Sequence, residues 1–321
     1  MDETKRGRGI PGLAVFLCLS LTSACSIFGG GPSPEILLDA KHGDLPAVER
    51  DLAAGANVDA RSRYGTTPLM IAAYKNHLAV ARYLLKHGAD IHARQFQGAT
   101  ALAMAAQNAH AEMAAFLIRH GADVNAKMNA KRSKVGGGAT PLMSAAEFGH
   151  ANIADLLIRH GADVNAQTSQ HFTALVEAVT HRHLKIASLL LDHGADVNVG
   201  VSGKAHGMNA LMDSSYSGHM EAVRLLIRHG ADVNARMGRG YTALMLAVQN
   251  GHGDIADVLI RHGADVNAKA KDGATALNMA LDRGFVDVAM ILRKYGARKG
   301  TVVHYWSNSP GANNPVNPLG F

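Results

Sequence analysis

Six residues, Gly161-Ala162-Asp163-Val164-Asn165-Ala166, recur almost letter for letter from Gly88, Gly121, Gly194, Gly230 and Gly263, and more loosely from Gly55 and Gly296. A second phrase follows at a short distance: Thr67-Pro68-Leu69, Thr100-Ala101-Leu102, Thr140-Pro141-Leu142, Thr173-Ala174-Leu175, Asn209-Ala210-Leu211, Thr242-Ala243-Leu244 and Thr275-Ala276-Leu277. Its copies begin at 67, 100, 140, 173, 209, 242 and 275, so successive starts lie 33, 40, 33, 36, 33 and 33 residues apart. A chain written in one short period is one supersecondary unit repeated. Each unit must bury its apolar face on its neighbours.

The stretch from Gly138 to Gln167 shows what one unit is. Thr140 is placed to cap a helix, its hydroxyl accepting from backbone N–H groups of the first turn. Pro141 stands at the first helical position, where no donor is needed. Leu142, Ala145 and Ala146 then fall on one face, and Gly149 permits a sharp turn. A second helix carries Ile153, Leu156 and Leu157 at core spacing, with Arg159 in its last turn. Gly161 is suited to end it in a left-handed conformation. Frequent alanine in the first helix suits close stacking.

The period and the two phrases resemble the ankyrin-repeat family, over roughly residues 34–299. The resemblance implies an all-α repeat solenoid of about eight stacked helix-turn-helix repeats joined by β-hairpin-like loops. The family carries His after the Thr-Pro-Leu phrase. Here that place holds Met70, Ala103, Met143, Val176, Met212, Met245 and Asn278. The polar link of the family is therefore expected to be absent, with packing in its place. The fifth repeat departs most: His171 replaces the hairpin glycine, and Arg182 occupies the turn position that Gly149, Gly218 and Gly251 hold. A non-glycine residue forced left-handed costs about 1–2 kcal/mol.

Residues 1–24 read as a targeting segment. Lys5, Arg6 and Arg8 precede an apolar run from Ile10 to Ala24, which is short for a bilayer span. Leu21-Thr22-Ser23-Ala24-Cys25 resembles a bacterial lipoprotein box, which implies lipid on the Cys25 thiol and cleavage before it. Cys18 and Cys25 are the two cysteines. Loss of Cys18 with the signal leaves Cys25 without an intramolecular disulfide partner. Ser26 after it resembles the class sorted to the outer membrane, facing the periplasm. The other reading is cleavage after the small residues Thr22-Ser23-Ala24, which releases a soluble periplasmic or secreted protein. Residues 25–33 are a Gly/Ser/Pro tether, 34–299 the repeat domain, and 300–321 a tail rich in Pro, Asn and Gly. In the atypical first repeat Leu37, Leu38, Val48 and Leu52 are the expected apolar positions, with a polar outer side as an end cap. The last repeat is expected to end polar as well.

The net charge of +6 is mild for 321 residues, and acids are interspersed, so a nucleic-acid groove is not indicated. Histidine recurs in two registers. His77, His110, His150, His183, His219 and His252 lie in the helix–helix turn. His87, His120, His160, His193, His229 and His262 lie at the end of the second helix. Helices pack about 8–10 Å apart and zinc binds nitrogen at about 2 Å, so a structural role in turns and helix ends is expected. No nucleophile elbow, H-E-x-x-H helix or C-x-x-C pair is present. No cofactor, metal or catalytic residue is assigned.

Three function classes follow. The leading one is a non-catalytic binding scaffold, monomeric, held in the cell envelope through its N-terminal lipid. A narrower version neutralises a toxin or enzyme. An enzyme with an unrecognised site on the solenoid is the second class, and a structural spacer the third. In the ankyrin family the variable positions flank the hairpin glycine and end the first helix, and together line a concave face. Here they hold Tyr64, Tyr74, Phe96, Gln107, Phe148, Phe172, His181, Tyr216, Arg239 and Tyr241, with Gln95 and Gln249 among the polar residues between them. Surface aromatics interleaved with polar groups are what interfaces favour. The 40-residue spacing adds a finger between Ala126 and Gly138 that carries Lys127, Lys131, Arg132 and Lys134. It is expected to be a solvated loop or a contact for an acidic partner or lipid head groups.

Overall fold

The computed structural model describes residues 34–129, 137–200 and 208–301, which carry sixteen helices and no strand. The chain divides into two compact units, Met1–Ala195 and Asp196–Phe321. The first unit holds five helix pairs: α1 (Glu35–His42) and α2 (Leu45–Ala53), α3 (Pro68–Lys75) and α4 (Leu78–Lys86), α5 (Ala101–Gln107) and α6 (Ala111–Arg119), α7 (Pro141–Glu147) and α8 (Ala151–Arg159), α9 (Ala174–Thr180) and α10 (Leu184–Asp192). The second holds three: α11 (Ala210–Ser217) and α12 (Met220–Arg228), α13 (Ala243–Gln249) and α14 (Gly253–Arg261), α15 (Ala276–Asp282) and α16 (Val286–Lys294).

Helices this short do not stand alone in water, so packing decides them. In the first unit α1, α3, α5, α7 and α9 lie side by side, each also packed on the second helix of its own pair. The second unit repeats this with α11, α13 and α15. A first helix between two neighbours and a partner is buried almost all round; every residue of α13 is buried. The alanines allow the approach: Ala72, Ala73, Ala105, Ala106, Ala145 and Ala146 are wholly inaccessible.

The expected caps form. Thr67, Thr100, Thr140, Thr173, Thr242 and Thr275 each accept a hydrogen bond at Oγ1 from the backbone N–H three residues on, and Asn209 does so through Oδ1. Each such cap contributes about 1 kcal/mol. The turn after the first helix is left-handed at Gly149 (φ 79°), and also at Ala109 (62°) and Arg182 (62°). His171 takes φ 67° in its hairpin, as its place predicts.

The linking loops have hairpin-type bonds without forming strands. Gln95 N–H donates to Ala99 O and Gly98 N–H to Gln95 O; Met237 N–H donates to Tyr241 O and Gly240 N–H to Met237 O. The Gly-Ala-Asp-Val-Asn phrase proves to be a stacking device. Asn125 Oδ1 accepts from Asp163 N–H at 2.8 Å while its Nδ2 donates to Gly161 O at 3.0 Å. Asn234 makes the same pair of bonds to Asp265 N–H and Gly263 O, and Asn267 to Arg298 N–H and Gly296 O.

Two expectations need correction. In α1, Leu38 is exposed, and Ile36 and Ala40 fill the core beside Leu37. Leu52 is only half-buried. Arg293, Lys294, Arg298 and Lys299 are exposed, so the last repeat ends polar as expected, although Val286 and Met290 earlier on its last helix are exposed as well. At Asn278 the polar link is present: Oδ1 accepts from Thr275 N–H and Gly300 N–H, and Nδ2 donates to Gly300 O. The other residues at that position, Met70, Ala103, Met143, Val176, Met212 and Met245, are buried as packing requires.

Candidate functional site

The first helices end in register because histidine joins them. His110 Nε2 meets Tyr74 O at 3.0 Å, His150 Nε2 meets Gln107 O at 3.0 Å, and His183 Nε2 meets Glu147 O at 3.1 Å. The side chains at these ends therefore form a column along the first unit: Tyr74, Gln107, Glu147 with Phe148, then His181. Tyr74 and His181 are half-buried, and Phe148 is 40% exposed. The Phe148 ring stacks on His150 and the His181 ring on His183, each pair with centroids 6.3 Å apart.

A second column runs along the hairpins. Phe96 N–H donates to Tyr64 O at 3.0 Å, which makes Tyr64 and Phe96 neighbours. Arg61 Nη1 donates to Arg94 O, and Arg94 Nη1 to Lys127 O. Phe96 is 74% exposed, with its ring against Gly65. Tyr64 and Phe172 are half-buried.

In the second unit Tyr216 is half-buried at the end of α11 and Arg239 is exposed at a hairpin tip. Tyr241 is a correction: it is 6% exposed. It sits in the hairpin stem, where its carbonyl accepts from Met237 N–H, and the stem turns its ring inward. Burial, with the Asp272 charge adding, raises its pKa above the ordinary value. Gln95 and Gln249 are buried as well and do not belong to the accessible face. Of the basic finger, Lys127 is exposed; Lys131, Arg132 and Lys134 lie outside the described residues, as does Cys25.

The titratable groups gather where α7 meets α9. Burial pushes the Glu147 carboxyl up to about 7. Burial also lowers the His183 pKa; its bond to the Glu147 carbonyl opposes this, and the nearby His181 and His150 rings add to it. His181 Nδ1 lies 3.7 Å from Glu177 Oε2. Among the described residues no group of three or more His, Cys, Asp or Glu could hold a metal ion. The second register of histidine closes helix ends: Nδ1 of His87, His120, His160, His193 and His262 meets the carbonyl four residues before it at 2.7–2.9 Å.

The model of ankyrin repeats matches residues 36–128, 126–201, 199–270 and 236–303. The chain is an ankyrin-repeat protein. No curated protein sequence matches it. Ankyrin repeats generally mediate protein–protein interaction, and the two side-chain columns of this ankyrin-repeat protein are its candidate contact surface. Sequence reasoning missed Glu147, which stands beside Phe148; a carboxylate between Ala146 and Phe148 was the signal available.

Proposed function

We propose that this ankyrin-repeat protein is a non-catalytic scaffold that holds a protein partner on the face made by its hairpins and first-helix ends. The observation that carries the reading is the exposure of Phe96 and Phe148 there, at 74% and 40%. Large rings left in water among Tyr64, Tyr74, Gln107 and His181 are groups of the kind that dominate binding energy once desolvated. Phe96→Ala with Phe148→Ala weakens partner binding by about 2 kcal/mol or more, the scale of a hot spot, at unchanged helicity. The measurement is capture of the partner by wild type and double variant, followed by titration of the recovered protein. Equal affinity, or unfolding of the variant, removes this face as the binding site.

The scaffold is proposed to be tethered in the bacterial cell envelope through lipid on Cys25. Support comes from the basic start, the apolar run and the Leu21–Cys25 box. No helix of the described residues is long and apolar enough to cross a membrane. Cys25→Ser releases the protein to the soluble fraction and abolishes labelled fatty-acid uptake. Sedimentation with membranes that persists in the variant, with no label on the wild type, rules the tether out.

A further inference from the structure

The hairpins before the last two repeats carry Arg236, Arg239, Lys269 and Lys271 against a single acid, Asp272. Burial alternates along the second stem: Ala268 and Ala270 are buried, Lys269 and Lys271 exposed. Lys271 lies in the turn that Gly273 N–H closes on Ala270 O, so the two exposed lysines flank the first residue of that turn. The neighbouring stems are bonded. Lys271 N–H donates to Arg239 O at 3.0 Å, and Arg236 Nη1 donates to Lys269 O at 2.7 Å and to Gly240 O at 3.5 Å. Arg236 is thus paired in space with Lys269, and Arg239 with Lys271. The two bonds hold the guanidinium by Nη1. They leave its Nε–Nη2 edge, which a carboxylate meets with two parallel hydrogen bonds. None of the four cations is in an ion pair among the described residues. A cleft of about 340 Å³ opens here, lined by Arg236, Lys269 and Lys271, by the buried side chains of Met237 and Ala270, and by two glycines.

We propose that this cleft binds an acidic segment of a polypeptide through its carboxylates. One carboxylate meets Arg236 and Lys269, and a second meets Lys271, with Arg239 on the adjoining turn. A Cβ on Gly238 would meet nothing within 4 Å, which leaves room for an incoming backbone, whereas Gly240 lets the neighbouring hairpin approach, a Cβ there falling 3.2 Å from Lys271 N. The site is built from residues of the second unit alone and stands or falls without the aromatic face of the first.

The test is fluorescence anisotropy of a labelled Ser-Glu-Ser-Glu-Ser-Glu-Ser peptide titrated with the full chain at low and high salt. Binding is expected at low salt, weakened by salt, and absent for the same peptide with Gln in place of Glu. Lys269→Gln with Lys271→Gln, both exposed and so harmless to the fold, lowers affinity roughly tenfold or more. Arg236→Lys lowers it several-fold although the charge is kept, because the fork is lost. Thermal melts verify that the variants are folded. The proposal is overturned by no peptide binding at low salt, or by equal affinity of the double variant. It is equally overturned if phosphatidylglycerol vesicles or a single-stranded oligonucleotide bind more tightly than the peptide with the same lysine dependence.

Discussion

Glu147 ends α7 with its carboxyl largely removed from water, and burial raises its pKa from the ordinary 4.5 to about 7. In the folded state the group stays protonated over a range where the unfolded chain is ionised. Its raised value gives stability that is complete below pH 4.5, falls as pH rises, and is lost once pH passes about 7. Glu147→Gln removes a charge that the fold disfavours. Thermal melts of variant and wild type should coincide below pH 4.5 and diverge between pH 4.5 and about 7, the variant melting higher above that window. A constant difference at all pH values contradicts the assignment. Since Phe148 is the next residue, the same protonation changes the charge that a partner meets on the proposed face.

Each helix pair depends on one left-handed residue in its turn, and the chain uses different residues there. Ala109 stands at φ 62°, a conformation that costs an L-residue about 1–2 kcal/mol. Ala109→Gly relieves this, offset in part by about 0.5–1 kcal/mol of unfolded-state entropy. The expected net gain is up to about 1 kcal/mol in urea denaturation. Gly149, one repeat later, shows the opposite case. It stands at φ 79°, and a Cβ there falls 2.6 Å from the His183 ring. Gly149→Ala therefore combines backbone strain with displacement of a histidine that holds the Glu147 carbonyl. The expected loss is about 2 kcal/mol or more. A neutral Gly149→Ala refutes the view that this histidine sits in place by close approach to the turn.

Stability of stacked repeats is close to a sum of the units and their nearest-neighbour contacts, so one altered contact changes a whole stack. In the first unit Asn125 and Asn165 reach the Gly161 and Gly194 carbonyls of the next repeat. His92 holds the corresponding place one repeat before Asn125, and it is exposed. His92→Asn supplies the missing pair of bonds to the Gly121 carbonyl and the Asp123 N–H. It stabilises the unit by about 1 kcal/mol, the net worth of such bonds near solvent. Chemical denaturation measures the gain; no gain means that His92 already does the work of asparagine.

Whatever depends on a few adjacent residues was legible in the sequence. Thr140 with Pro141 must start a helix, Gly149 must turn the chain, and the spacing of the copies sets how many pairs there are. Arg182 and His171 read as left-handed misfits because their places in the period demand that backbone. What depends on residues one period apart was not legible. The Gly-Ala-Asp-Val-Asn phrase reads locally as a turn; stacking makes its asparagine a donor and an acceptor to the next copy. Phe96, Phe172 and Tyr241 all flank a hairpin turn, yet Phe96 is 74% and Tyr241 6% exposed. Which side of the stem faces inward, and what the neighbouring loop covers, decides that difference. Arg236 and Lys269 are 33 residues apart and nothing in either hairpin alone marks a cleft. They meet because stacking brings equivalent positions of adjacent repeats into contact, so that charges scattered along the chain become one surface.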